Sequence, residues 1–197
     1  MGKLTEAFKK LDAGKTSFVN DVEKWQTETK NYLAAARLYQ QKLSELAKVD
    51  NEILDQIKDS AAKTKKSAEL ADARGHKLDS LWPKRAPADT AQKKAFDNCE
   101  AFEKLIAESE GILKGYDTKG KATKEQKKVD AKKLLLQAKL DLAEVKKQKI
   151  NYEYQGDGSA QHTDVMKASA EIDRLKKKIA GMTAKLKEDV TAVDDGK

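Results

Sequence analysis

One long, mostly apolar seam constrains the fold of this chain more than any other feature. Its residues recur in alternating steps of four and three, the 3.5-residue period of helices that pack side by side. The seam consists of Phe18, Val22, Trp25, Thr29, Tyr32, Ala36, Tyr39, Leu43, Leu46, Asp50, Ile53, Ile57, Ser60 and Thr64. No proline interrupts residues 18–82, which would span roughly 98 Å as one helix at 1.5 Å per residue. A helix of that length is not stable alone, so the rest of the chain must pack along it.

Three shorter helical segments follow the long one. Trp82-Pro83 and Pro87 end the first helix, because proline removes a backbone donor and disfavours helical angles in its predecessor. A second helix is expected from about residue 89, and glycines between 115 and 120 break or kink it. A third helix over 124–154 has a broad apolar face that fits two neighbours, and a fourth runs from about 159 to 193. Whether 88–154 is one kinked helix or two stays open.

The pattern predicts an all-α fold. Charged residues make up 37% of the chain and aromatic residues 6%, which is typical of long helices with narrow seams. We expect an elongated antiparallel bundle, or coiled coil, with one very long helix (about 18–82) and three shorter ones. The expected organisation is a short basic amphipathic N-terminal helix (1–16), the bundle (17–193) and a disordered tail (194–197). Where the bundle is thin, its exposed seam predicts a homodimer.

The N-terminal segment has an apolar stripe formed by Leu4, Phe8 and Leu11. Three lysines accompany the stripe: Lys3, Lys9 and Lys10. A basic amphipathic helix of this kind either caps the bundle or inserts into a membrane interface, and the pattern leaves both open.

The net charge of +7 is concentrated in two segments. Residues 1–16 hold four lysines and two acids (+2), and residues 123–155 hold nine lysines and five acids (+4). The lysines of the second segment are Lys124, Lys127, Lys128, Lys132, Lys133, Lys139, Lys146, Lys147 and Lys149. Such concentration favours an anionic partner.

The sequence contains no motif for enzymatic chemistry. It has no glycine-rich phosphate loop, HExxH, CxxC or GxSxG pattern, and His76 and His162 lie on different elements. We therefore expect no catalytic residue, metal, cofactor or small-molecule substrate. No apolar run approaches the roughly 18 residues of a membrane span, and the start lacks a signal-peptide core. With Cys99 as the only cysteine, a cytoplasmic location is expected.

The order of features resembles the N-BAR members of the BAR-domain family, crescent-shaped helical dimers that sense or bend membranes. The similarity lies in a basic amphipathic start, a long helix ending at Trp-Pro, and the stretches Lys127-Lys128-Val129-Asp130, Leu142-Ala143-Glu144-Val145-Lys146-Lys147-Gln148-Lys149 and Lys167-Ala168-Ser169-Ala170-Glu171-Ile172. The resemblance implies a homodimer at the cytoplasmic membrane surface. It assigns anionic-lipid contact to Lys3, Lys9 and Lys10 and to the nine lysines of residues 123–155, and insertion to Leu4, Phe8 and Leu11.

The main alternative is a soluble coiled-coil scaffold or adaptor that binds other proteins through exposed seam positions. Nucleic acid is not an expected partner. Only Tyr152 and Tyr154 interleave with the lysines, and arginine is scarce.

Overall fold

The computed structural model describes residues 2–118, 125–153 and 158–194, with side-chain surroundings for 2–115, 129–152 and 163–183. The described residues form helices and connecting turns without a strand, which confirms the all-α class. The helices are α1 (Lys3–Asp55), α2 (Ser60–Leu78), α3 (Ala86–Thr118), α4 (Glu125–Glu153) and α5 (Gly158–Asp194), with a 3-10 turn at Asp79–Leu81.

The chain divides into two compact units. Unit 1 comprises Met1–Val22 and Lys93–Lys197, and unit 2 comprises Glu23–Gln92. Helix α1 is continuous through the boundary, so its first part belongs to unit 1 and the remainder to unit 2.

Unit 1 has a core formed by α1, α3 and α4. Phe18 of α1 stacks on Phe102 of α3, with ring centroids 4.6 Å apart. Beside this pair, Asn98 Nδ2 donates a 2.7 Å hydrogen bond to Asp21 Oδ2, and Lys94 Nζ lies 2.8 Å from Asp21 Oδ1. These contacts satisfy the buried Asp21 carboxylate, because a buried charge is tolerated only with partners.

Helix α4 packs on two sides, as its broad apolar face predicts. Ala131, Leu135, Ala138, Leu142 and Val145 belong to the core shared with α1 and α3. A second apolar cluster, on a different face of α4, joins it to α5 through Leu140, Ile172 and Leu175.

In unit 2, α2 runs back along α1. Lys63 Nζ lies 3.5 Å from Asp55, Arg74 donates a 2.7 Å hydrogen bond to Asp50, and Trp82 packs edge-on against Tyr39. As the chain advances through α2, its partners on α1 move backward, which defines an antiparallel pair.

The structure differs from the predicted single helix over 18–82, because the chain leaves helical geometry between Asp55 and Ser60. Asp59 has extended backbone angles (φ −77°, ψ 126°), and its side chain accepts a 2.7 Å hydrogen bond from the Ala62 backbone N–H. That side chain caps a new helix, an arrangement that competes with continuing the old one.

The separate N-terminal helix expected over 1–16 is the first part of α1, since Gly14 does not end the helix. A Cβ at Gly14 would collide with the Leu105 side chain, so the glycine permits close approach of α1 and α3.

The predicted stop at Trp82-Pro83 agrees with the irregular segment 82–85. Helix α3 begins at Ala86, with Pro87 in its first turn, where no intrahelical donor is lost. Helices α3 and α4 are separate helices, which answers the question left open for 88–154. The predicted tail begins at Asp194, the last residue of α5, and residues 195–197 lie outside the described ones.

Candidate functional site

The three residues expected to insert into a membrane lie inside unit 1. Leu4, Phe8 and Leu11 are buried in the core with α3 and α4, and Leu11 is 0% exposed. In this structure the apolar stripe packs on other helices of the protein, as part of the continuous helix α1. Insertion would require this part of α1 to leave its core.

The N-terminal lysines point away from that core. Lys3, Lys9 and Lys10 are exposed, and Lys10 Nζ lies 3.6 Å from Glu6 in an exposed pair. Lys3 and Lys10 also line a shallow groove with Glu6 and Glu108, which lies between α1 and α3. The positive charge of this surface is therefore interspersed with acids.

Two of the α4 lysines expected to contact lipid form ion pairs with α3. Lys139 Nζ lies 2.9 Å from Glu110 Oε2, and Lys146 Nζ lies 2.6 Å from Glu103 Oε1. The hydrogen bond from Lys139 lowers the pKa of Glu110 and keeps that carboxylate charged. These lysines hold α4 against α3, which reduces the positive charge they offer to an outside partner.

The other predicted lysines of this segment have varied surroundings. Lys149 Nζ lies 5.9 Å from the Phe96 ring centroid, within cation–π range. Lys132 and Lys147 are half-buried, and Lys133 is exposed. Lys124 and the side chains of Lys127 and Lys128 lie outside the described residues. The structure therefore does not bring the described α4 lysines together on one exposed face.

Unit 1 also contains a poorly solvated carboxylate that sequence reasoning missed. Gln137 donates a 3.1 Å hydrogen bond to Asp141 Oδ1, whereas Oδ2 is buried without a hydrogen-bond partner. The Lys15 ammonium lies 3.7 Å from Oδ2, beyond hydrogen-bond distance. Burial raises the pKa of Asp141.

Unit 2 carries an exposed stripe along α1, which we call the α1 stripe. It consists of Ala34, Leu38, Lys42, Glu45, Val49 and Ile53, all exposed. Its three large apolar members, Leu38, Val49 and Ile53, are 45%, 51% and 36% exposed. At about 100° per residue, these three lie within about 60° of one another around the helix axis.

The α1 stripe lies about 90° around the helix from the seam that faces α2. The predicted seam agrees with the structure from Phe18 to Asp50, because each of its members is buried or half-buried. Ile53 belongs to the predicted seam but is exposed. The signal that the predicted seam does not contain is Leu38 and Val49, which lie eleven residues, or about three turns, apart on one face of the helix.

No His, Cys, Asp or Glu group in the described residues is arranged to hold a metal ion. Within the same residues, no helix is both long and apolar enough to cross a bilayer. Comparisons of the chain with protein-family models, with curated proteins and with solved structures found no match.

Proposed function

We propose that this chain is a non-enzymatic helical protein that binds other protein chains through the α1 stripe. The observation that carries the proposal is the alignment of Leu38, Val49 and Ile53 on one exposed face of a long helix. Single exposed apolar residues are ordinary on protein surfaces, but several on one helical face are typical of an interaction site.

The thin core of unit 2 supports this proposal. Among residues 23–92, all of which are described, Leu78 is the one large apolar side chain that is buried. Trp25, Tyr32, Tyr39, Leu43 and Leu46 are only half-buried. A helix pair with so little buried area is marginal alone, and a further helix against it would add apolar burial at about 25 cal/mol per Å².

The mixed chemistry of the stripe also suits a helical partner. An amphipathic helix docks through apolar anchors in steps of three and four, with charged residues setting orientation. The α1 stripe has apolar anchors at both ends and the pair Lys42–Glu45 in the middle, with Nζ and Oε2 2.7 Å apart. The apolar residues of the stripe can therefore supply affinity for a partner helix, and the Lys42–Glu45 pair can set its orientation.

Site-specific photocrosslinking tests the proposal. A photoreactive benzoylphenylalanine at position 49 lies on the stripe, whereas one at position 48, an exposed lysine, lies about 100° away. In an extract of the cells that make this protein, we expect discrete protein adducts from position 49 and none of them from position 48. Identical adduct patterns from both positions, or none from position 49, would contradict the proposal.

A second candidate function is BAR-like attachment to an anionic membrane surface from the cytoplasm. The concentration of charge in residues 1–16 and 123–155, and the exposure of Lys3, Lys9 and Lys10, favour it. The proposed attachment is electrostatic: each lysine near an anionic leaflet contributes about 1 kcal/mol of binding free energy. Leu4, Phe8 and Leu11 remain in the core and do not act as a wedge.

Co-sedimentation with vesicles tests the second candidate. Vesicles with phosphatidylserine should bind the chain at low salt, and vesicles of phosphatidylcholine alone should not. Raising the salt to about 0.5 M should release the protein, because the Debye length falls below about 5 Å. Absence of binding to the anionic vesicles at low salt would exclude this function.

A further inference from the structure

We infer that the occupant of the α1 stripe is the α1 stripe of a second copy of this chain, packed antiparallel about a two-fold axis between residues 43 and 44. This inference rests on the proposed function, since it names the partner of the same surface. It follows from the spacing and the charges of the six stripe residues.

The spacing of the stripe reads the same in both directions. From Ala34 to Ile53 its members are separated by four, four, three, four and four residues. Two antiparallel copies related by a two-fold axis can therefore align all six positions at once. An isologous interface requires this property, because the same surface must be complementary to itself.

The residues paired by this alignment are chemically complementary. Leu38 faces Val49 of the second copy, and Ala34 faces Ile53 of the second copy, which places a small side chain opposite a large one. Lys42 faces Glu45 of the second copy. A parallel alignment in register would instead place like charges together, Lys42 against Lys42 and Glu45 against Glu45, which is unfavourable.

The central charges are already ordered in the single chain. Glu45 accepts a 2.7 Å hydrogen bond from Lys42 and a 2.9 Å hydrogen bond from Gln41. These bonds lower the pKa of Glu45, so it is ionised at neutral pH. Two copies would thus bring two lysines and two glutamates into one alternating cluster at the centre of the interface.

The mass of the protein in solution, measured by light scattering across a concentration series, is the first test. We expect a concentration-dependent rise from 21.9 kDa toward twice that value. Lys42→Glu should weaken the dimer about tenfold, since two attractive pairs become repulsive. Adding Glu45→Lys to that variant should restore the dimer, and Lys48→Glu, off the stripe, should leave it unchanged.

Cysteine crosslinking tests the alignment. Leu38→Cys and Val49→Cys proteins should form a disulfide-linked dimer when they are mixed and oxidised. Each variant alone should not, because its two cysteines would lie about 16 Å apart along the helices. The wild-type chain is the control, as its Cys99 is buried.

Three results would overturn the inference: a monomer at every concentration, a double charge reversal that fails to restore the dimer, or self-crosslinking of Leu38→Cys alone. A monomer that still gives discrete photo-adducts from position 49 refutes the second copy as occupant and leaves the proposed function standing. A monomer without such adducts refutes both.

Discussion

Leu11 belongs to an apolar pattern that is compatible with two environments, a membrane interface and a protein core. Its spacing from Leu4 and Phe8 fits a helix lying in a membrane interface, and equally a helix lying on a protein core. In the structure all three side chains are buried between α3 and α4, while Lys3, Lys9 and Lys10 remain exposed. The pattern establishes an amphipathic helix, but only the fold determines what covers its apolar face.

Replacing Leu11 should therefore destabilise the protein. We expect Leu11→Ala to lower the free energy of unfolding by about 3 kcal/mol, because it leaves a cavity at a fully buried site. Urea denaturation followed by circular dichroism measures the change. Thr5→Ala, at an exposed position of the same helix, should change stability by less than about 0.5 kcal/mol. Equal stabilities of the two variants would show that Leu11 is not in the core.

Asp141 gives a pH-dependent prediction at the same scale. Burial raises its pKa in the folded chain, so the unfolded chain releases this proton at lower pH than the folded chain does. Its contribution to stability is therefore favourable at low pH and falls as pH rises from the unfolded pKa through the folded one.

Asp141→Asn removes that pH-dependent contribution. We expect the variant to be more stable than the wild type at pH 7, by about 1 kcal/mol, because the neutral amide carries no charge that burial penalises. The advantage should shrink as pH falls below the raised pKa. Thermal unfolding at a series of pH values measures it, and an advantage that grows on acidification would contradict the assignment.

At the scale of elements, the α1–α2 junction shows what the periodicity could and could not predict. The 3.5-residue seam correctly placed Trp25 to Asp50 on the inward side, because that side packs against other elements. Beyond Asp50 the predicted seam continues through Ile53, Ile57, Ser60 and Thr64, of which Ile57 is half-buried and the other three are exposed. Helix α1 ends at Asp55, and the Asp59 side chain caps the first turn of the new helix α2. A pattern of apolar residues does not predict a cap of this kind, which depends on one polar side chain.

The same limit applies to the candidate lysines. Sequence reasoning identified the basic composition of α4 but not the position of its neighbours. Glu103 and Glu110 lie on α3 and pair with Lys146 and Lys139 across a helix–helix contact. Each pair joins residues that are far apart in the sequence, so no local pattern could predict it. Only the fold shows that these two lysines are paired with glutamates and offer less positive charge to another molecule.

The junction can be tested through its cap. Asp59→Ala should destabilise α2 by about 1 kcal/mol, because the Ala62 backbone N–H loses its acceptor. Asp59→Asn should restore most of that loss, since asparagine caps helices about as well as aspartate. Hydrogen exchange of the first turn of α2 reports the difference. Equal exchange in all three proteins would mean that Asp59 does not set this boundary.

At the scale of the whole molecule, the two units differ in how much apolar surface they bury. Unit 1 has a core with contributions from α1, α3 and α4, and a second cluster between α4 and α5. Unit 2 has half-buried aromatic and aliphatic side chains and an exposed stripe on α1. Most of the described apolar burial therefore lies in unit 1, and the proposed binding surface lies on unit 2.

The most direct test of the α1 stripe as a binding surface compares two leucines on the same helix. Leu38 is 45% exposed and lies on the stripe, whereas Leu33 is 48% exposed and lies about 140° away around the helix. Both positions accept a charged side chain without loss of core packing. Photo-adduct yield from position 49 is measured in Leu38→Glu and Leu33→Glu backgrounds. The yield should fall at least fivefold with Leu38→Glu and stay unchanged with Leu33→Glu; equal yields in the two backgrounds would contradict the α1 stripe as the binding surface.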